Sequence, residues 1–190
     1  MKRSAPRRAA KGALLIIDMI NTFDFPGGSA LAGYARAAAP RAEQLRDACV
    51  RARMPVIYCN DNFGRWRSDF RAVYRRCTEP RARGAGIAAR LKPGPNDYFI
   101  LKPRHSAFYQ TPLDLLLQSL GVRHLILAGI AGDGCVLTTA TDAHIREYRV
   151  SVASDATASQ RPASNRRALR HLAEVVGVTV APVRSLRPGR

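Results

Sequence analysis

Short apolar runs recur along the chain, separated by longer stretches in which apolar and charged residues alternate at helical spacing. Ala13–Ile17, Val56–Cys59, Tyr98–Leu101, Leu125–Ala128, Val150–Ala153 and Val178–Val180 read as strands. The unbroken apolar character of the first predicts a strand covered on both faces. Tyr34–Arg53 reads as an amphipathic helix, with Leu45, Cys49 and Ala52 on one side and Pro55 marking its end. Thr111–Leu120 is predicted as a helix capped by Thr111, with Pro112 in its first turn and Gly121 after its end. Val136–Tyr148 and Pro162–Val176 read as two more, the latter with Leu169, Leu172 and Val176 inward. Strands alternating with helices predict right-handed crossovers. The expected fold is α/β: a six-stranded, mostly parallel, doubly wound (Rossmann-like) sheet with helices on both faces, in a single domain.

The expected organisation is a basic flexible tail over 1–12, one domain over 13–182, and a C-terminal tail over 183–190. Residues 60–95 form an insertion with the single tryptophan, Trp66, and many arginines. It is expected to hold a short helix around Ser68–Arg76 and a helical turn near Gly86–Leu91. An insertion of this length carries either function or a basic, solvated surface.

Composition narrows the function. No apolar run approaches the roughly 18 residues of a membrane span, so no membrane partner is expected. The basic start is followed only by the short run Ala13–Ile17, which Asp18 interrupts, and this argues against a signal peptide. The four cysteines, Cys49, Cys59, Cys77 and Cys135, form no CxxC pair and read as reduced thiols of a cytoplasmic protein. The formal charge of +17 draws attention to nucleic acid, but only four of the 31 basic residues are lysines and most are scattered. No RNA-binding aromatic motif or zinc-finger spacing accompanies them. A basic nucleic-acid-binding protein on a degenerate hydrolase fold therefore stands as the alternative, with no specific nucleic acid expected.

Three polar residues close three of the strands. Asp18 follows the first, Lys102 the third, and Cys135 the fourth, after a turn containing Gly129, Gly132 and Gly134. Ligands of open α/β sheets bind at this carboxyl edge. A carboxylate can take a thiol proton, and an ammonium can stabilise a thiolate. The lysine and the amino end of the following helix predict a lowered thiol pKa. Taken alone, Cys135 reads equally as a small packing residue. A thiol redox role is disfavoured, since no partner cysteine lies near it in sequence.

With these residues in view, the sequence resembles the isochorismatase-like cysteine hydrolases over about Ala13–Pro182. The resemblance rests on LLIIDMINTF at 14–23, ILKPRHSAFYQTPLDLLLQSLGV at 100–122 and LAGIAGDGCVLTTATDA at 127–143. It implies a catalytic triad of Asp18, Lys102 and Cys135. It also implies a cis peptide at Ile130–Ala131, with the backbone N–H groups of Ala131 and Cys135 forming an oxyanion hole. The implied reaction is hydrolysis of a C–N bond (amide, carbamoyl or ureido) of a small molecule through a thioester on Cys135. No cofactor is implied, and a homo-oligomer, dimer or tetramer, is. Metal-holding nicotinamidases of the family carry an Asp-x-His pair after the second strand, where this chain reads Asn60-Asp61-Asn62-Phe63, so no metal is expected. Members acting on the isochorismate vinyl ether typically lack the cysteine, so its presence here favours C–N bond hydrolysis, with the vinyl-ether activity kept as an alternative. His105, within the matching SAF motif, is expected to be structural. Gly132 replaces the commoner Thr or Ala. Phe23 and Trp66 are the candidates to cover a planar substrate, with core packing as the other reading of each. The arginines near Trp66 either attract a substrate carboxylate or are plain surface.

Overall fold

The computed structural model describes residues 12–67 and 69–189. The expected tail over 1–12 therefore lies outside the described residues except for Gly12, which begins the first strand. The strands are β1 (Gly12–Ile17), β2 (Val56–Asp61), β3 (Tyr98–Lys102), β4 (His124–Ile130), β5 (Arg149–Ala158) and β6 (Thr179–Ala181). They form one parallel sheet in the order β3-β2-β1-β4-β5-β6. The chain reverses direction of travel between β3 and β4, so the crevice of an open sheet falls beside β1, at the carboxyl ends of β1 and β4.

Helices cover both faces. On one lie α1 (Gly28–Arg51), α2 (Phe70–Cys77) and α3 (Ala85–Arg90). Their buried residues join Leu14, Ile16, Tyr58, Ile126 and Ala128 in one hydrophobic cluster. On the other lie α4 (Leu113–Ser119), α5 (Leu137–Ile145) and α6 (Pro162–His171). There Leu113, Leu117, Ala140 and Ala143 pack with Ala13, Leu15, Ile17, Leu125 and Leu127. Alternate residues of β1 thus feed opposite clusters, which is why its apolar run is unbroken.

Several elements differ from the sequence expectation for identifiable reasons. The first helix begins at Gly28, six residues earlier than the amphipathic pattern indicates. It buries Leu31, Ala32, Ala35, Ala38, Ala39 and Ala42, and a face of alanines gives a weak hydrophobic signal while letting helix and sheet approach closely. The insertion is not a solvated loop. Asp69 caps α2 by accepting from the Ala72 amide (2.8 Å), and Phe70, Val73, Cys77, Ile87 and Ala88 enter the core. β5 runs to Ala158 because pairing with β4 shifts register between Leu127 and Gly129 and then resumes, with Gly129 beside Thr157. The last segment is anchored: the Val183 amide donates to Asp155 (2.8 Å), and Val183 and Leu186 are buried.

Gly129 pairs with Ile17 where β4 runs beside β1. Its φ is +132°, and a Cβ there would fall 2.1 Å from the Ile17 carbonyl oxygen. Gly129→Ala is expected to cost at least about 2 kcal/mol, through overpacking and a backbone angle closed to L side chains. Urea unfolding of the purified variant measures it.

Candidate active site

The site begins with a local backbone choice. β1 ends at Ile17, and Asp18 adopts a left-handed conformation, φ +52°, one of the few that Asp accepts more readily than most residues. The turn keeps the Asp18 amide on the sheet, donating to the Cys59 carbonyl (2.9 Å). Its carboxylate reaches the neighbouring strand ends: Oδ1 accepts from the Asp61 amide at 2.7 Å, and Oδ2 lies 2.8 Å from Lys102 Nζ.

Lys102 stands two strands away, on β3. Crossing two strand spacings takes about 10 Å, a span that a lysine and an aspartate cover together. All three ammonium hydrogens have acceptors: Asp18 Oδ2, the Arg104 carbonyl at 3.1 Å and Cys135 Sγ at 3.4 Å. The Lys102 side chain is 0 % exposed and Asp18 5 %. Cys135, partly exposed, is the member of the three that solvent reaches.

The cysteine comes from the other side of β1. Beyond β4 the Ile130–Ala131 peptide is cis, and Gly132–Val136 makes one wide π-helical turn before α5 begins. The Ala131 carbonyl closes it, accepting from the amides of Gly134 and Val136 at 3.0 Å each. The expected α-helix over Val136–Tyr148 is thus preceded by a helical turn that already carries the thiol. The turn is fastened at its far side, where the Asp133 amide donates to Ser159 Oγ (3.0 Å), which donates to Asn165 Oδ1 (3.0 Å). A Cβ on Gly132 would sit 2.0 Å from that Asn165 oxygen. The glycine that departs from the commoner Thr or Ala is matched by a side chain filling its space.

Electrostatics correct one expectation. The Cys135 thiol is pushed up to about 12, not lowered. Burial is the main cause and the Asp18 carboxylate adds to it; Lys102 pulls the other way without prevailing. Burial likewise pushes the Asp18 carboxyl above its usual range, against the pull of Lys102, the Cys135 thiol and the Asp61 amide. Burial opposes the charge on Lys102, but Asp18 and Cys135 hold the ammonium above its ordinary value. The arrangement is an ammonium that bridges a carboxylate at 2.8 Å and a thiol sulfur at 3.4 Å, with burial favouring the protonated thiol.

Other sequence candidates fall elsewhere. Phe23 is 0 % exposed and belongs to the core cluster beside α1. Its ring stacks on Phe25, 6.5 Å between centroids, and its carbonyl accepts from Arg83 (3.1 Å). It therefore packs the first loop and is not a wall open to a ligand. Trp66 is 79 % exposed on the turn after β2 and covers nothing in this conformation. Of the arginines in the insertion, Arg76, Arg81 and Arg83 share a cavity of about 350 Å³ with the acids Asp24 and Glu79. Sequence reasoning missed the Asp61 amide and the Arg104 carbonyl, since backbone partners leave no residue-type signal. It also missed Cys59, whose buried thiol is pushed up by desolvation and then by Asp18.

The donor set after β2 does not suit a metal. Asp61 Oδ1 is taken by the Phe63 amide (2.5 Å) and Asn62 Oδ1 by the Gly64 amide (2.9 Å). Among the described residues, no three His, Cys, Asp or Glu side chains form a group that could hold an ion.

A parallel sheet thus carries a buried acid–ammonium pair and a partly exposed thiol at its carboxyl edge. Residues 12–183 match the isochorismatase domain, and the chain belongs to the isochorismatase family of hydrolases. It is 41 % identical over 167 residues to the uncharacterized isochorismatase family protein YaaI of Bacillus subtilis strain 168, covering 88 % of this chain and 91 % of that protein. It is 32 % identical over 180 residues to the ureidoacrylate amidohydrolase RutB of Cronobacter sakazakii, 80 % of this chain and 76 % of the relative. Among solved structures, the N-carbamoylsarcosine amidase of Thermoplasma acidophilum superposes with a TM-score of 0.71 at 27 % identity, over 93 % of this chain and 99 % of that one.

Two measurements follow from the electrostatics. Lys102→Met leaves the Asp18 carboxylate buried without its cation, a change expected to cost about 3–5 kcal/mol near pH 8. Because the folded variant takes up a proton on Asp18 more readily than the unfolded chain, that gap to the wild type narrows as the pH falls towards 5, which urea unfolding at several pH values reads. The rate of Cys135 alkylation should rise about tenfold per pH unit from 7 to 10, whereas an ordinary thiol levels off near 9; mass spectrometry of the Cys135 peptide follows it.

Proposed function

We propose that the chain is a cysteine amidohydrolase acting on a C–N bond (amide, carbamoyl or ureido) of a small molecule, with Cys135 as nucleophile and no metal or cofactor. The observation that carries this reading is the hydrogen-bonded cluster of Asp18, Lys102 and Cys135, with Cys135 partly exposed. The amidase names borne by relatives along most of the chain support it.

The mechanism follows from the protonation states. With the thiol proton retained at rest, the sulfur is activated as it attacks. Asp18 accepts the S–H proton while the S–C bond forms, and its raised basicity suits it to that task. Lys102 stays charged and keeps the growing charge on carboxylate and sulfur balanced. The backbone N–H groups of Ala131 and Cys135 take the oxyanion, a contribution of about 3 kcal/mol for each donor in comparable sites. Asp18 returns the proton to the leaving ammonia or amine. Water, deprotonated by Asp18, then hydrolyses the thioester and restores the thiol. Asp18 and Cys135 exchange one proton beside a charged Lys102, so the pH profile belongs to the cluster.

A small-molecule substrate accords with a reacting thiol set at the end of a buried pair. A homo-oligomer, dimer or tetramer, and a cytoplasmic location complete the proposal; among the described residues no helix is long and apolar enough to cross a membrane.

Turnover of a panel of small amides, ureas and carbamoyl compounds by the purified protein tests the reading. Cys135→Ala should reduce kcat by at least about 10⁴-fold with the fold intact, and EDTA should leave the wild type unchanged. Retained activity in the alanine variant, or loss on chelation, would overturn it.

A further inference from the structure

The segment after β3 is fixed at several points. The Arg104 carbonyl accepts from Lys102, Ser106 Oγ donates to Asp142 Oδ2 (2.6 Å), and the Ala107 amide donates to Thr139 Oγ1 (3.1 Å). Between these anchors His105 is exposed. Its ring is not turned away from the site: a Cβ built on Gly134, the residue before the thiol, would lie 3.9 Å from His105 Cδ2 and 3.7 Å from the Ala131 side chain. The space that Gly134 leaves open is therefore flanked by the cis-peptide residue on one side and an imidazole on the other, one residue from the sulfur. In the sequence His105 reads as structural; here its side chain is exposed.

The geometry points to His105 as a specificity-determining residue that forms the outer wall of a subsite in front of Gly134 and holds an oxygen acceptor, a carboxylate above all, on the group next to the scissile carbonyl. In every protonation state the ring has at least one N–H to offer. The neighbouring charge favours an anion: Arg104 is exposed beside it. The absence of a side chain on Gly134 keeps the space between ring and thiol free.

This inference rests on Cys135 being the group that meets the substrate, and its test avoids turnover so that the two can fail separately. Iodoacetate and iodoacetamide have nearly the same shape and differ in a carboxylate against a neutral amide. Each forms the same S–CH₂ bond and expels iodide, while the thiol proton leaves through Asp18 to the buffer. Rates of Cys135 alkylation at pH 9 are measured for the full-length wild type, His105→Ala and His105→Gln, with Cys135→Ala as the blank, the other three cysteines being buried. The wild-type ratio of iodoacetate to iodoacetamide rates should exceed that of free cysteine by about tenfold, the scale of one charge-assisted hydrogen bond. His105→Ala should lower the ratio at least fivefold by slowing iodoacetate alone, and the glutamine, which keeps an N–H, should recover part of it. A ratio equal to free cysteine in the wild type, a ratio unmoved by both substitutions, or an equal fall with both reagents would overturn the assignment. An exposed position tolerates both changes, and thermal unfolding checks that they fold.

Discussion

The buried pair of Asp18 and Lys102 is the interaction on which the site depends. Two charges removed from water cost several kcal/mol each and are tolerated only when every hydrogen-bonding position is met. Here each is: the carboxylate oxygens take the Asp61 amide and the ammonium, and the ammonium's three hydrogens take carboxylate, carbonyl and sulfur. The thiol is thus part of the solution to a burial problem as well as the reacting group. Its high proton affinity follows from the same burial, so a chemically quiet resting thiol and a competent nucleophile are two aspects of one arrangement.

The sheet makes this pair possible. β1 lies between β2 and β4, and from its end the short Asp18 side chain reaches the Asp61 amide on β2 and the Lys102 ammonium. Lysine supplies the length needed to arrive from β3. The thiol arrives from the opposite side on a π-helical turn, wider than an α-helical one, held by the Ala131 carbonyl, by Ser159 and by a glycine whose place Asn165 occupies. The two hydrophobic clusters fix the strands, the strands fix the three chain ends, and the chemistry is confined to where they meet.

The six strands, the two helical layers and the three polar strand ends were legible because each has a residue-type signature: unbroken apolar runs, helical spacing, and a charge or thiol where such a run stops. What was not legible had no such signature. Partners drawn from the backbone, such as the Asp61 amide and the Arg104 carbonyl, can belong to any residue. The thiol's proton affinity was misjudged because a dipole and a lysine are visible in sequence, while burial and the approach of Asp18 are not. Phe23 and Trp66 were chosen as aromatic residues near the right loops, but aromaticity does not say whether a ring points into core, cleft or solvent. Phe23 went to the core and Trp66 to solvent. The alanine face of α1 was missed because small residues pack well but score as weakly hydrophobic.

The account stands or falls on a covalent bond to Cys135 sulfur. Acid quenching during turnover of the best substrate from the small-amide panel, followed by intact-mass measurement and peptide mapping, tests this most directly. The predicted result is a mass increase equal to the acyl group, confined to the peptide containing Cys135 and released by hydroxylamine as a thioester is. Turnover with the peptide unmodified in single-turnover quenches at every time point, or an acyl group mapped to another residue, would contradict it.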